Sequence, residues 1–150
     1  MDTKVLSRLQ AQCVRREYCS KDIYDKALKA LEGDADEAAR ILSSLQADHF
    51  VDDARYAAAF ARDKASLSGW GPVKISQALR AKGIPSDDIA SALSSVDAER
   101  SSQRLRALLS SKYRTLKGDS EAKLKLLRFA LGRGYTYDQV RDLVDELLKA

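Results

Sequence analysis

The sequence is poor in the residues that build metal centres and many active sites. Its 150 residues include two cysteines, one histidine, one tryptophan and two prolines. Cys13 and Cys19 lack a neighbouring histidine or second cysteine pair, so they cannot complete a tetrahedral zinc site, and we interpret them as reduced thiols. His49 is the only histidine, and we interpret it as a surface or partly packed residue instead of a catalytic base. We therefore predict no metal, no cofactor and no enzymatic activity.

The sequence also lacks long apolar runs and a charged-then-apolar leader. We accordingly expect neither a membrane span nor a secretory signal, and a cytoplasmic location. A glycine-rich phosphate loop of the Walker type is missing, and Gly69-Trp70-Gly71 has no strand context. The protein should therefore neither bind nor hydrolyse ATP by itself.

Helix-forming residues dominate what is present, and they recur in a repeat. The segment Gly83–Leu93 matches Gly134–Val144 at a constant offset of 51, and a weaker copy surrounds Gly33. Each copy contains an amphipathic helix, a glycine and another helix, and each is preceded by a helix of its own. The sequence predicts an all-α fold of three tandem three-helix repeats, spanning 1–48, 49–98 and 99–150, that form an elongated, curved array. Because such repeats cover one another's apolar faces, we expect a monomer.

Local signals indicate where the helices begin. Ser86 or Thr136 can cap the helix after each glycine, and Thr136 forms a capping box with Gln139. Asp52 and Asp53 resemble a paired-carboxylate site, but adjacent acids at a helix start more often cap free N–H groups. We therefore predict helix capping and no acid–base chemistry at this pair.

Positive charge is concentrated in one segment, although the net charge is only +4. The stretch 100–133 holds ten basic residues and two acidic ones, Asp119 and Glu121. A local excess of this kind indicates a polyanionic partner.

Three blocks in the middle of the chain carry a family resemblance, and a fourth pattern near the end extends it. They are Phe50–Ala57, Gly69–Ile75, Leu79–Ile84, and the set Lys125, Leu127–Leu131 and Arg133–Tyr135. In this order and spacing they resemble the RecX family, bacterial regulators of the RecA recombinase. The first repeat departs from the family pattern, since Ser20 is followed by Asp22-Ile23 where Glu-Leu is common.

The resemblance implies a modulator that binds in the groove of the RecA–single-stranded DNA filament. It would inhibit ATP hydrolysis, strand exchange and filament growth in homologous recombination, DNA repair and the SOS response. The alternative is a helical DNA-binding module whose repeats act as helix-turn-helix elements. Sequence-specific duplex binding would favour the module, and weak, salt-sensitive, sequence-indifferent binding to single strands would favour the modulator.

Two groups of residues are predicted to make these contacts. The recombinase-binding group is Arg55, Arg62, Lys64, Trp70, Lys74, Arg80 and Lys82. The DNA-binding group is Arg104, Arg106, Lys112, Arg114, Lys117, Lys123, Lys125, Arg128 and Arg133. Trp70 has two interpretations of equal weight, an anchor that stacks on a base or a partner and a loop residue that packs on the core.

Overall fold

The computed structural model describes residues 1–149, which contain nine α-helices and no strand. The helices are α1 (Thr3–Arg15), α2 (Ser20–Ala30), α3 (Ala35–Ala47), α4 (Asp53–Ser66), α5 (Pro72–Ala81), α6 (Ser86–Ser94), α7 (Ala98–Arg114), α8 (Ala122–Gly132) and α9 (Tyr137–Lys149). The predicted all-α class and its three helices per repeat are confirmed. No helix within residues 1–149 has the length and apolarity that a bilayer crossing needs.

Each terminal triplet of helices has its own apolar core, built from side chains at helical spacing. The core of α1–α3 contains Leu9, Ile23 and Ile41, and that of α7–α9 is centred on Leu126 and Val140. Apart from Leu9, which is 3% exposed, these side chains are 0% exposed. Removing such surface from water is the main stabilising term of the fold.

The chain forms two compact units that cut across the helical triplets. One unit combines Met1–Ala59 with Leu79–Ala92, and the other combines Phe60–Ala78 with the segment from Leu93 onward. Helices α4, α5 and α6 therefore contribute to both units. The division into repeats at 48 and 98 and the curvature of the array stay predictions.

Left-handed glycines follow the second helix of each triplet, as predicted. The φ angles are +91° at Gly33, +76° at Gly83 and +93° at Gly134. Residues with a Cβ rarely adopt this conformation, so glycine is the natural residue where a helix must end and the chain must turn.

The caps of α6 and α9 differ. At α9, the Gln139 N–H donates to Thr136 Oγ1 at 3.3 Å and the Thr136 N–H donates to Gln139 Oε1 at 3.0 Å, which confirms the capping box. At α6, the predicted Ser86 cap is wrong, because Ser86 is already the first helical residue. The Ile89 N–H donates to the Pro85 carbonyl at 3.0 Å, which gives Pro85 the N-cap position.

Candidate functional site

The two adjacent aspartates cap two different helices. Asp52 Oδ1 accepts the Arg55 N–H at 3.0 Å and so caps its own helix α4. Asp53 Oδ1 accepts the Ser20 N–H at 2.7 Å, at the start of α2, where the N-cap residue Cys19 supplies no side-chain hydrogen bond. Capping is therefore confirmed, and Asp53 also joins the first triplet to the second.

Two of the predicted recombinase-binding cations form ion pairs with carboxylates of the first triplet. The Arg55 guanidinium donates to Glu17 Oε2 and to the Phe50 carbonyl, and Lys82 Nζ lies 3.0 Å from both carboxylate oxygens of Asp22. The hydrogen bond to Glu17 raises the pKa of Arg55, and the one to Asp22 raises the pKa of Lys82. These contacts, together with that of Asp53, are called the first junction. Its two cations are compensated by carboxylates of the first triplet.

The second junction joins the middle triplet to the third through backbone groups. The Gly71 N–H donates to the Arg133 carbonyl and the Val73 N–H to the Gly134 carbonyl, both at 2.8 Å. The free N–H groups at the start of α5 thus meet carbonyls that follow α8, which satisfies both ends. The buried Tyr135 hydroxyl adds a hydrogen bond to the Gly69 carbonyl at 3.2 Å.

Glycine is required on both sides of the second junction because the backbones touch. A Cβ on Gly71 would lie 2.5 Å from the Gly134 carbonyl carbon, and a Cβ on Gly134 would lie 2.7 Å from the backbone nitrogen of Lys74. Contacts this short are far inside van der Waals separation. The interpretation of these glycines as backbone requirements is confirmed.

The two junctions differ in charge at one of two matching positions. Asp22 is the third residue of α2, and Lys74 is the third residue of α5. Lys82 and Arg133 likewise match each other at the repeat offset of 51. The first junction therefore sets a base against an acid, whereas the second has bases at both positions.

Four cations at the second junction have no carboxylate partner. Within residues 1–149, none of the following forms an ion pair: Lys64, Lys74, Arg104 and Arg133. Like charges held close together repel one another, and an external anion relieves that repulsion. The second junction is therefore suited to bind an anion.

Trp70 lies between two of these cations. Lys64 Nζ is 4.8 Å and Lys74 Nζ is 4.5 Å from the centroid of the indole ring. Phe60 packs edge-on against the same ring, with centroids 6.2 Å apart. The half-buried indole is thus a packed loop residue that also positions two ammonium groups, each contact contributing about 0.5–1 kcal/mol. Its stacking on a base or a partner stays a prediction.

Phe129 is a second aromatic residue of this kind, and it was not predicted. Lys112 Nζ lies 5.6 Å and the Arg133 guanidinium carbon 5.3 Å from its ring centroid. The signal was present in and just after α8, where Phe129 is interleaved with Lys125, Arg128 and Arg133 in a pattern typical of nucleic-acid surfaces.

Gly69 connects the two aromatic groups. A Cβ at this position would lie 3.2 Å from Arg104 Nε and 3.7 Å from Arg133 Nη1, so both guanidinium groups border the residue before Trp70. Arg133 Nη1 also donates to the Ser68 carbonyl at 3.3 Å. We call the resulting surface the basic–aromatic strip, formed by Lys64, Trp70, Lys74, Arg104, Lys112, Phe129 and Arg133. It combines members of both predicted groups.

Three of the remaining predicted DNA contacts are already ion-paired, namely Arg106 with Glu146, Lys123 with Asp145 at 3.2 Å and Lys125 with Asp119 at 2.6 Å. The hydrogen bond to Asp119 raises the pKa of Lys125. Other predicted contacts are exposed and form no ion pair among the described residues, namely Arg62, Arg80, Arg114, Lys117 and Arg128. The basic segment is therefore less positive than its sequence indicates.

Residues suited to metal binding are not gathered anywhere in the described chain. No group of three His, Cys, Asp or Glu residues there could hold a metal ion. Cys13 and Cys19 are free thiols, and burial raises the pKa of both, which disfavours the reactive thiolate. His49 is exposed, in agreement with its interpretation as a surface residue.

These features define a class, a tandem three-helix-repeat protein with a basic surface between its second and third triplets. Residues 52–93 match the family model described as the second three-helix domain of RecX, and residues 99–144 match its third three-helix domain. The regulatory protein RecX of Haemophilus ducreyi is 32% identical over 131 residues, which are 87% of this chain and 84% of that protein. The chain belongs to the RecX family.

Other relatives agree with this assignment. The regulatory protein RecX of Clostridium botulinum (strain Eklund 17B) is 35% identical over 132 residues, covering 85% of this chain. The chain spans only 61% of the length of that relative. A crystal structure of regulatory protein RecX matches with a TM-score of 0.84 and 25% identity, covering 95% of this chain and 71% of that one. RecX from Lactobacillus salivarius shares the fold, with a TM-score of 0.82, 21% identity and 99% of both chains covered.

Proposed function

We propose that this protein is a cytoplasmic, monomeric, non-enzymatic modulator of the RecA recombinase. It binds in the groove of the RecA–single-stranded DNA filament and inhibits ATP hydrolysis, strand exchange and filament growth during recombination and DNA repair. The observation that carries the proposal is membership of a family whose members are named regulatory protein RecX. The free thiols of raised pKa and the absence of a metal-ligand cluster among residues 1–149 are consistent with a protein that acts by binding.

The basic–aromatic strip is the surface that we assign to the filament. Its cations have no carboxylate partner among residues 1–149, so a nucleic-acid phosphate or a carboxylate of the recombinase gains Coulomb energy there without first breaking an ion pair. Arg55 and Lys82 differ, because a partner would have to displace Glu17 or Asp22 from them. The strip is therefore a better contact surface than the first junction.

The proposal is tested by the rate of ATP hydrolysis of the cognate RecA on single-stranded DNA, titrated with this protein and with variants. The double substitution Lys64→Gln and Lys74→Gln removes two unpaired charges from the strip. The matched control is Lys21→Gln and Lys29→Gln, which removes the same charge from exposed positions of α2.

We expect the parent and the control to inhibit hydrolysis equally and the strip variant to require about ten-fold more protein. Equal inhibition by all three would exclude the strip as the contact surface. No effect of the parent at saturation would contradict the modulator proposal itself and favour a helical DNA-binding module. Lys82→Glu would be a poor probe here, since it sets a second carboxylate against Asp22.

A further inference from the structure

A cavity of about 390 Å³ lies beside the strip, between the end of α4 and the beginning of α7. Arg62 and Ala65 line it from α4, Val96 from the turn between α6 and α7, and Arg100, Ser101 and Arg104 from α7. Its volume falls within the range of about 300–1,000 Å³ that is typical of small-molecule sites. The cavity is therefore large enough for one nucleotide unit.

The charges around the cavity favour a phosphate. Its lining residues include three arginines against one acidic residue, Asp97. Asp97 Oδ1 accepts the Arg100 N–H at 3.1 Å as the cap of α7, and its other oxygen lies 3.8 Å from Arg100 Nε. Arg62 and Arg104 take part in no ion pair with residues 1–149. Guanidinium groups bind phosphate oxygens in bidentate geometry, so two unpaired arginines suit a phosphate well.

The remaining lining suits a ring with hydrogen-bonding edges. Ala65 is 8% exposed and Val96 is half-buried, so they supply apolar surface. Ser66 and Ser101 add hydroxyl groups, and Ser66 Oγ uses its proton on the Arg62 carbonyl at 2.8 Å, which leaves its lone pairs free to accept. A nucleobase presents both an apolar face and polar edges, and this lining is complementary to it.

Arg104 belongs both to the cavity and to the strip, where it borders Gly69. A ligand that fills the cavity and continues along the strip must carry more than one phosphate along its length, which favours a polymer over a free nucleotide. A base inside a duplex is stacked and cannot enter. We propose that the cavity holds one unstacked base of single-stranded DNA, with its flanking phosphates on Arg62 and Arg104. This inference rests on the strand contact in the proposed function and adds a subsite to it.

The test uses the protein and DNA alone, so that its outcome is independent of any effect on RecA. Binding of a fluorescent single strand is compared with binding of a strand of the same length that lacks its bases. Ser101→Leu fills the cavity without changing charge, and Ser66→Leu fills it from the other helix. Ser111→Leu, exposed further along α7, is the matched control. Circular dichroism and the unfolding midpoint verify that each variant folds.

We expect the parent to bind the normal strand about five-fold more tightly than the strand without bases, an effect the size of one or two hydrogen bonds. Ser101→Leu and Ser66→Leu should lose this preference and bind the strand without bases as the parent does, while Ser111→Leu keeps it. The inference is wrong if the parent binds both strands equally, or if both folded cavity variants bind like the parent. The inference is also wrong if the two cavity variants no longer bind a free nucleoside triphosphate but still prefer the normal strand to the strand without bases.

Discussion

Gly134 and Lys74 approach so closely that no side chain fits between their backbones. A Cβ on Gly134 would lie 2.7 Å from the backbone nitrogen of Lys74, and the φ angle of Gly134 is +93°. Gly83, at the matching position of the middle triplet, has a φ of +76° with open space around it. Backbone conformation alone requires glycine at 83, whereas conformation and packing both require it at 134.

This difference predicts unequal effects of the same substitution. Gly83→Ala should lower the free energy of unfolding by about 1–2 kcal/mol, through the strain of a left-handed alanine. Gly134→Ala should lower the free energy of unfolding by about 1–3 kcal/mol more than Gly83→Ala does, because the second junction must open to admit the methyl group. Urea unfolding of the two variants measures both values, and equal losses would contradict the tight packing at Gly134.

The Asp22–Lys82 ion pair should couple the first two triplets measurably. Its side chains are 25% and 40% exposed, so it is better shielded from solvent than the Lys21–Asp25 pair at 56% and 60%. A double-mutant cycle with Asp22→Asn and Lys82→Met should give a coupling energy of about 0.5–1 kcal/mol that falls at high salt. The same cycle at Lys21 and Asp25 is the control and should give less. A coupling at Asp22–Lys82 no larger than that of the control would show that the pair is not a structural tie.

Stability should decrease at alkaline pH in part through Tyr135. Burial raises the pKa of this hydroxyl above its ordinary value of 10.0, an effect that Arg104 and Arg133 partly oppose. A group with a raised pKa in the folded state contributes stability that is complete below the unfolded pKa and is lost as pH rises through the folded pKa.

The stability that Tyr135 contributes is therefore lost at pH values above about 10. Urea unfolding gives the free energy of unfolding at about pH 9 and about pH 11. Its decrease between these two pH values should be smaller for Tyr135→Phe than for the parent. At about pH 8 the variant should be less stable by about 1 kcal/mol, because the hydrogen bond to Gly69 is missing. Parallel pH profiles for the two proteins would exclude Tyr135 as a source of the alkaline loss.

The carboxylate of Asp53 should protect the start of α2, although it belongs to α4. Asp53→Ala removes the only side-chain acceptor seen for the Ser20 N–H among the described residues, and should cost about 1 kcal/mol. Hydrogen exchange of the Ser20 amide should accelerate in this variant. Asp87→Ala, at an exposed position in the first turn of α6, is the control and should leave that amide unchanged. Unaltered exchange in Asp53→Ala would contradict the capping role.

Most of the fold was predictable because its determinants are local. Apolar spacing, left-handed glycines and the Thr136–Gln139 capping box all act within a few residues, and each occurs where the sequence placed it. Ser86 was predicted wrongly because residue type favoured a hydroxyl cap. At the repeat offset of 51, Pro85 corresponds to Thr136. The N-cap of α6 therefore lies at the same repeat position as the N-cap of α9, although its residue type differs.

The site was less predictable because charge pairing depends on residues far apart in the chain. Arg106 meets Glu146 across 40 residues, so a count of charges within the segment 100–133 misses this partner. Phe129 and its two cations are likewise assembled from two helices, α7 and α8, and the residue after α8. Sequence identified the kinds of residue involved, and only folding determined which of them stay uncompensated.

The two compact units have a consequence for synthesis on the ribosome. Leu79–Ala92 completes the unit that begins at Met1, whereas Phe60–Ala78 belongs with residues from Leu93 onward. A growing chain can thus close its first unit once residue 92 has left the exit tunnel, while residues 60–78, already outside, still lack their partners. We therefore expect residues 60–78 to emerge before the other residues of their unit, and their apolar side chains to stay exposed until that unit closes.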